Sequence, residues 1–283
     1  MQPNIQRLQE IAKHGVITHK GHFHADDILS ATLLKIAGII SNMRTIKRVG
    51  IVPDDFNGLV FDIGYGEFDH HQKDAKYRSN GNKYASFGLL WDTIGVEYIM
   101  EKYDATKQDA IKAANKFDHD FITAMDLTDN FGLDKYPNTL SYLIASRNNG
   151  NFTTQQRDEM FYEIADSFCV YLESMIKTSY DFIQYQKRAN EISIQNPSGI
   201  AILDNKDFIP RNAFVGTNII CIIKFTDRET YNITTIPPYT IVPSLKKMPG
   251  CIQVSETVAA FDTIENAKYA ATQFVKNCQN ERK

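Results

Sequence analysis

The chain has 283 residues, 43% of them hydrophobic and 23% charged, with 31 Lys+Arg against 34 Asp+Glu for a net charge of −3. This composition excludes a disordered, collagen-like or coiled-coil chain, and the charge balance excludes a strongly basic nucleic-acid binder while leaving room for a local basic groove. No apolar run approaches the ~20 residues that span a bilayer and residues 1–15 lack the apolar stretch of a secretory signal, so a cytoplasmic protein with no membrane partner is expected.

In chain order, residues 5–13 predict a short helix. Residues 14–19 (HGVITH) predict a buried strand, and residues 20–27 (KGHFHADD) the loop after it. Residues 28–37 predict an apolar helix with Asp26 or Asp27 as its N-cap and Gly38 as its stop. A strand is expected at 44–50, a turn at Pro53, Asp54 and Asp55, and a second buried strand at 58–64 (GLVFDIG). The DHH segment, 65–72 (YGEFDHHQ), and the polar stretch 73–85 predict loops. An amphipathic helix follows at 86–100 with Ser86 as its cap, and further helices at 105–126 and 139–146. Strand and helix in alternation imply a parallel sheet covered by helices.

Met160, Phe161, Ile164, Phe168 and Leu172 recur at helical spacing, so 153–190 predicts a long helix or helical hairpin. Beyond 192–199 the character changes to β-rich runs at 200–203, 218–225 and 231–236, closed by a helix at 265–277. The expected fold is α/β: a mainly parallel N-terminal sheet flanked by helices over 1–150, a helical connector over 151–192, and a smaller C-terminal α+β domain over 193–283 that binds substrate. The four cysteines (Cys169, Cys221, Cys251, Cys278) form no CxxC pair. They read as reduced thiols rather than a zinc or redox site.

Histidine is the informative residue type. Six of the seven lie within the first 71 residues, and none lies between 150 and 283. Chemistry that needs imidazole therefore belongs to the N-terminal half. The acid excess lies there too, since residues 1–190 carry a net −4 and residues 191–283 a net +1. His19 ends a strand, with His24 and Asp26 in the loop beyond it. Asp62 ends the next strand, and Asp69, His70 and His71 follow directly. Asp126 and Asp129 occur in ITAMDLTDNFG. Ligands of open α/β sheets gather at the carboxyl ends of strands, so the first two groups can converge. Mixed imidazole and carboxylate suits a transition divalent cation better than Ca²⁺. Six or more ligands exceed one tetrahedral zinc and fit two metals. Each piece alone has an ordinary reading, such as helix capping for Asp26 and Asp27. Their order within 55 residues is what points to a site. His14, His22 and His119 have no such company and read as structural or surface residues.

At these residues the chain resembles a known family. The FDHH of 68–71 is similar to the signature of the DHH phosphoesterase superfamily, which includes RecJ exonucleases and manganese-dependent inorganic pyrophosphatases. The stretches 18–31 (THKGHFHADDILSA), 59–72 (LVFDIGYGEFDHHQ), 84–95 (YASFGLLWDTIG) and 125–132 (MDLTDNFG) resemble, in order, one branch, the melanocyte-proliferating-gene (MYG) family. Several members of that branch are described as 3′–5′ RNA exonucleases. The resemblance covers 18–132 and returns weakly at 249–271. It implies a metal-binding hydrolase with His19, His24, Asp26, Asp62, Asp69, His70 and Asp126 as metal ligands. Asp62 would bridge two divalent ions, Mn²⁺ foremost with Mg²⁺ or Co²⁺ as alternatives. Two departures stand out: Asp26-Asp27 where the family has Asp-Glu, and Val254-Ser255 where it has Val-His.

The expected reaction is hydrolysis of a phosphodiester by a two-metal-activated water. Asp62 and His71 are the catalytic residues, His71 serving the leaving oxygen or orienting Asp69. Lys83, Ser86, Arg147 and Asp129 are candidate substrate contacts, with Lys73, Lys76 and Arg78 as further cations near the DHH segment. The helix starting near Ser86 is expected to aim its amides at phosphate. The substrate reading is a nuclease, a 3′–5′ exonuclease on RNA or single-stranded DNA. Tyr231, Tyr239, Arg211, Lys224, Lys246 and Lys247 are the C-terminal residues available to a strand. Three alternatives stay open: a phosphatase of phosphorylated small molecules (pyrophosphate, oligonucleotides or cyclic dinucleotides), a non-catalytic binding protein with a vestigial site, and an amide or ester hydrolase. The last ranks lowest because neither GxSxG nor HExxH is present. An oligomer is compatible with the sequence.

Overall fold

The computed structural model describes residues 3–204, 208–241 and 243–280. The chain divides into two compact units, Met1–Tyr180 and Asp181–Lys283.

The first unit begins with helix α1 (Asn4–Ala12) and strand β1 (Val16–His19), then helix α2 (Ala25–Ile36), strand β2 (Ile46–Val49) and the two-residue strand β3 (Leu59–Val60). β1 lies in the centre of an all-parallel sheet of order β2-β1-β3. Val16 pairs with Ile46 on one side and Leu59 on the other, and His19 pairs with Val49. Val16, Ile17 and Thr18 are buried, as expected of a strand with helices on both faces. The parallel register puts His19 and the residues following Val60 at the same edge of the sheet.

β3 is much shorter than the strand expected at 58–64. The chain leaves it at Asp62, whose φ of 55° lies in the left-handed region, followed by Gly64 at 86° and Tyr65 at 58°. Aspartate tolerates that conformation better than most side chains. The turn brings the DHH segment back alongside: Phe61 bridges Phe68, and the Asp62 amide donates to the Phe68 carbonyl at 3.0 Å.

Helices α3 (Ser86–Tyr103), α4 (Lys107–Phe117), α5 (Thr123–Phe131) and α6 (Thr139–Ser146) complete the cover. The single helix expected at 105–126 is interrupted by a wide turn of π-helix at Asp118–Ile122. α2 packs on α3, α5 and α6, and residues Ala25 through Leu34 are all buried. This explains a helix that is apolar nearly all round. Its start differs from expectation: the N-cap is His24, and Asp26 and Asp27 lie inside the first turn. Ser86 is likewise the first residue of α3, and Ala85 is its cap.

The long helix α7 (Thr154–Gln195) runs five residues past the expected end. Its first part braces the parallel sheet. Tyr162 Oη donates to the Ile46 carbonyl at 2.8 Å, and Asp158 accepts from Arg48, whose guanidinium lies over the Phe161 ring.

The second unit contains strands β4 (Ile200–Leu203), β5 (Cys221–Phe225), β6 (Tyr231–Thr235), β7 (Cys251–Val254) and β8 (Val258–Phe261), and helix α8 (Ile264–Asn280). The sheet order is β4-β5-β6-β8-β7, parallel only between β4 and β5. Ile223, Ile233, Phe261 and Phe274 centre a core beneath α8, and Ala189, Ile192, Ala201 and Phe214 form a second core. Each large side chain so buried stabilises the fold by about 1.5–3 kcal/mol. The β7–β8 hairpin was not anticipated: Gln253, Ser255 and Thr257 interrupt its apolar run, and no Asn-Gly or Gly-Gly turn marks it. The fold is thus α/β, with a parallel N-terminal sheet flanked by helices and a C-terminal mixed sheet carrying one helix. Among the described residues no helix is long and apolar enough to cross a membrane.

Candidate metal centre

Two groups of imidazole and carboxylate meet at the edge of the parallel sheet. In the first, His19 turns its Nδ1 toward the Lys20 carbonyl at 3.2 Å. A carbonyl only accepts, so Nδ1 carries the hydrogen and Nε2 offers a lone pair when the ring is neutral. That Nε2 lies 2.7 Å from Asp27 Oδ2 and 3.2 Å from Asp62 Oδ2. Asp27 is held by its position in the first turn of α2, where Oδ1 accepts the His24 amide at 2.9 Å, half of a capping box. Oδ2 is left for the cluster.

In the second group, His70 Nε2 lies 3.2 Å from Asp62 Oδ1 and 3.1 Å from Asp129 Oδ2. Asp26, His70 and Asp129 present ligand atoms within 4.8 Å of one another, and so do Asp62, His70 and His71. Asp62 therefore faces one group with each carboxylate oxygen. It is deeply buried, with 3% exposure.

Several titratable groups share this space, and each shifts the others. Burial works against ionisation of Asp62, but the His19 and His70 rings outweigh it and hold its carboxyl well below the usual range. Burial likewise opposes the cationic form of both rings, yet Asp27 and Asp62 push His19 up to about 11, and Asp129 and Asp62 push His70 up to about 11. Asp26 is raised by burial first and then by the nearby charges of Asp129 and Asp62. Asp27 Oδ2, Asp62 Oδ1 and His70 Nε2 are buried without a hydrogen-bond partner, which is rare and costly in a folded protein. Once deprotonated, these atoms are all lone-pair donors, they converge, and the imidazole–carboxylate set suits transition divalent cations. The residues therefore fit a pair of such ions.

The other expected residues sit as follows. Asp26 is fully enclosed, and its two oxygens accept the amides of Ser86 at 2.9 Å and Phe87 at 2.8 Å. The N-terminus of α3 thus holds a carboxylate of the chain itself, where phosphate had been expected. Ser86 is buried and donates its hydroxyl to the Phe68 carbonyl. Asp69 closes its own loop: Oδ2 accepts the Tyr65 amide at 2.7 Å, and Oδ1 takes the His70 and His71 amides and lies 2.6 Å from His71 Nδ1. Burial opposes its ionisation, but the His71 ring and these amides prevail and keep its carboxyl low. His71 is over half exposed, at 57%. His24 is exposed, with Nδ1 3.7 Å from Asp129 Oδ1.

Asp126 stands apart from both groups. Its Oδ2 lies 2.7 Å from Arg78 Nη2, and Arg78 also donates to Asp118 at 2.8 and 2.6 Å. Burial, partly offset by Arg78, pushes the Asp126 carboxyl up to about 7. Arg78, expected among the cations near phosphate, is spent inside this network. Room for it comes from Gly88, where a Cβ would meet Asp126 Oδ2 at 2.1 Å. Lys83 is half-buried, and Arg147 is exposed at the end of α6. Two residues were not named as ligands from the sequence. Asp27 had been read as a capping alternative to Asp26, and its adjacency to His24 and Asp26 was the available signal. Asp129 had been placed with the substrate contacts.

The cluster opens into a cavity of about 1060 Å³. Its walls include Ile51, Val52, Pro53, Phe56, Ile63 and Leu133, and no lysine or arginine lines it among the described residues.

Residues 15–211 match the family model MYG1_exonuc, described as an uncharacterised protein family, UPF0160. A MYG1 protein of Schizosaccharomyces pombe is 26% identical over 133 residues, covering 43% of this chain and 41% of that protein. A MYG1 protein of Dictyostelium discoideum is 26% identical over 134 residues, covering 44% and 40%. One of Saccharomyces cerevisiae is 25% identical over 134 residues, covering 43% and 38%. The match thus spans about two fifths of each relative's length. Among solved structures, RecJ of Thermus thermophilus in complex with Mg²⁺ overlaps 97% of this chain and 52% of that one, at 11% identity and a TM-score of 0.24. That overlap is too loose to support an argument.

Proposed function

The chain belongs to the MYG1_exonuc family, and from that premise we propose that it is a divalent-metal-dependent phosphodiesterase of the DHH type, working as a 3′–5′ exonuclease on RNA or single-stranded DNA. The observation that carries this reading is Asp62, one buried carboxylate with an imidazole–carboxylate group on each oxygen. His19, Asp27 and Asp62 would hold one ion, and Asp62, His70, Asp26 and Asp129 the other. His24 stands at the rim of the second group. Bound cations, with Mn²⁺ as the first choice, would supply Lewis-acid stabilisation of phosphoryl charge and an acidified water.

The chain's own residues do the rest. Asp69 accepts from His71 Nδ1 and so presents the outer edge of that ring to the cavity. From there His71 can give a proton to the leaving oxygen, a role that typically contributes about 10²–10⁴-fold. The apolar wall of Ile51, Val52, Pro53 and Phe56 keeps water from one side of the site and suits a nucleoside better than an ion. The charge of the cavity favours a diester over pyrophosphate. A diester brings one negative charge per linkage, whereas pyrophosphate brings several, and beyond the bound cations no lysine or arginine among the described residues lines the walls to meet them.

The test is a panel in Mn²⁺: RNA, single-stranded DNA, dinucleotides, cyclic dinucleotides and pyrophosphate. Hydrolysis of RNA or DNA from one end, lost in Asp62→Asn, is the expected result. Turnover of pyrophosphate alone would replace the nuclease reading with the small-molecule one. No turnover of any member, with Mn²⁺ still bound, would leave a binding protein.

A further inference from the structure

His70 and His19 expose the same nitrogen to the cluster, but the chain orients the two rings by different means. For His19 the acceptor at Nδ1 is main chain, the Lys20 carbonyl. For His70 it is a side chain inside the stretch 125–132 that was not singled out there: Asn130 Oδ1, 3.0 Å from Nδ1.

An amide side chain can serve either as acceptor or as donor, so its orientation must be fixed before it can choose a tautomer. Here three carbonyls fix it. Asn130 Nδ2 donates to the Asp126 carbonyl at 2.8 Å, the Tyr84 carbonyl at 3.1 Å and the Lys83 carbonyl at 3.4 Å. Turning the amide over would set its oxygen against three oxygens. With the NH₂ so committed, Oδ1 is the only group that can face His70, and Oδ1 only accepts. Nδ1 must therefore carry the hydrogen, and Nε2 becomes the ligand atom. That Nε2 is buried, has no hydrogen-bond partner, and points between Asp62 Oδ1 and Asp129 Oδ2.

We propose that Asn130 is a positioning residue that holds His70 in the Nδ1–H tautomer and so assigns its Nε2 to the second cation. It links the stretch before α3, the end of α5 and the DHH turn through one side chain. The proposal rests on the metal-centre reading above. It adds an asymmetry: the second ion depends on a replaceable side chain, whereas the first depends on main chain that no substitution removes.

The experiment uses the full chain, wild type and two variants, Asn130→Leu and Asn130→Asp. The first keeps the branched shape and removes both the acceptor and the NH₂ donors. The second keeps an acceptor for Nδ1–H. Protein labelled with ¹⁵N-histidine and loaded with Zn²⁺, a diamagnetic probe, reports which nitrogen of His70 bears hydrogen. Mn²⁺ titration by calorimetry reports each equivalent bound. The expected results are a protonated Nδ1 in wild type, and in Asn130→Leu a second equivalent weakened about 10–100-fold, as outer-sphere partners of metal ligands typically give. The first equivalent should stay within about twofold. In a folded Asn130→Asp, whose carboxylate keeps the acceptor but gives up the donors to the three carbonyls, Nδ1 should still bear the hydrogen and the second equivalent should be weakened less than in Asn130→Leu.

A wild-type His70 with its hydrogen on Nε2 overturns the proposal whether or not the variants fold. Two unchanged equivalents in a folded Asn130→Leu overturn it too, as does equal loss of both equivalents in both variants. A wild type that binds no Mn²⁺ at all is a different failure, that of the metal-centre reading itself.

Discussion

Two clusters of buried charge lie within the first unit, and they are built on opposite plans. At Arg78 the acids meet a cation of the chain: one guanidinium serves Asp118 and Asp126, stacks on the Tyr84 ring 3.9 Å away, and fills the space left by Gly88. At Asp62 the chain gathers four buried or half-buried acids around the rings of His19 and His70, and among the described residues no lysine or arginine lines the cavity it opens into. The first plan is that of a structural ion pair, which costs most when one partner is removed. The second brings imidazole and carboxylate together, the donor set of a divalent-cation site. Buried charge by itself does not mark a site; the mixture of imidazole with several convergent carboxylates is what sets Asp62 apart from Arg78.

This contrast can be broken experimentally. The largest effect is expected at Asp62. Asp62→Asn should lower turnover by about 10³-fold or more, because both groups lose their shared carboxylate, while thermal unfolding shifts by only a few degrees. A variant that is inactive only because it is unfolded would erase the distinction drawn here.

Arg78→Leu should do the reverse. Loss of the guanidinium strands Asp126 and should cost about 3–5 kcal/mol of stability, measured by urea unfolding, with turnover per folded molecule nearly kept. The double variant Arg78→Leu, Asp126→Leu should recover much of that loss. No recovery would mean that Asp126 does more than balance charge.

A smaller effect is expected at Gly88. Gly88→Ala puts a methyl where Asp126 and Arg78 now lie and should destabilise by about 1–3 kcal/mol, read from the same urea curves. The smallest effect sharpens the other cluster. His19 and His70 are both pushed up to about 11 by their carboxylates, so at neutral pH both rings hold a proton that a cation must displace. Mn²⁺ binding should therefore release about one proton per imidazole and tighten as pH rises. Titration calorimetry in buffers of different ionisation enthalpy measures this, and binding without proton release would contradict it.

Much of the site was legible in the sequence because metal chemistry demands particular residue types. His19, Asp26, Asp62 and His70 could be singled out by type, order and position after apolar strands. The parallel sheet was legible too, from strand and helix in alternation. Asp27 was less so, because an acid at a helix start has an ordinary role in capping, and here Oδ1 caps while Oδ2 faces His19. Asn130 lay inside the quoted stretch 125–132 but was not singled out. An amide near the end of a helix says nothing until the carbonyls of Lys83 and Tyr84, more than forty residues away, come to meet it.

The clearest limit is the pair Asp126 and Asp129. They are three residues apart on α5, close enough that either could reach a neighbouring group. Composition and order along the chain determined that an acid from this helix would stand near the DHH turn, and that imidazole and carboxylate would dominate there. Only the packing of α5 against α3 decided that Asp126 turns to Arg78 beside Gly88 while Asp129 turns to His70. Distances between side chains from separate segments depend on how the helices seat against one another, to within an ångström. Spacing along a single chain carries no record of that.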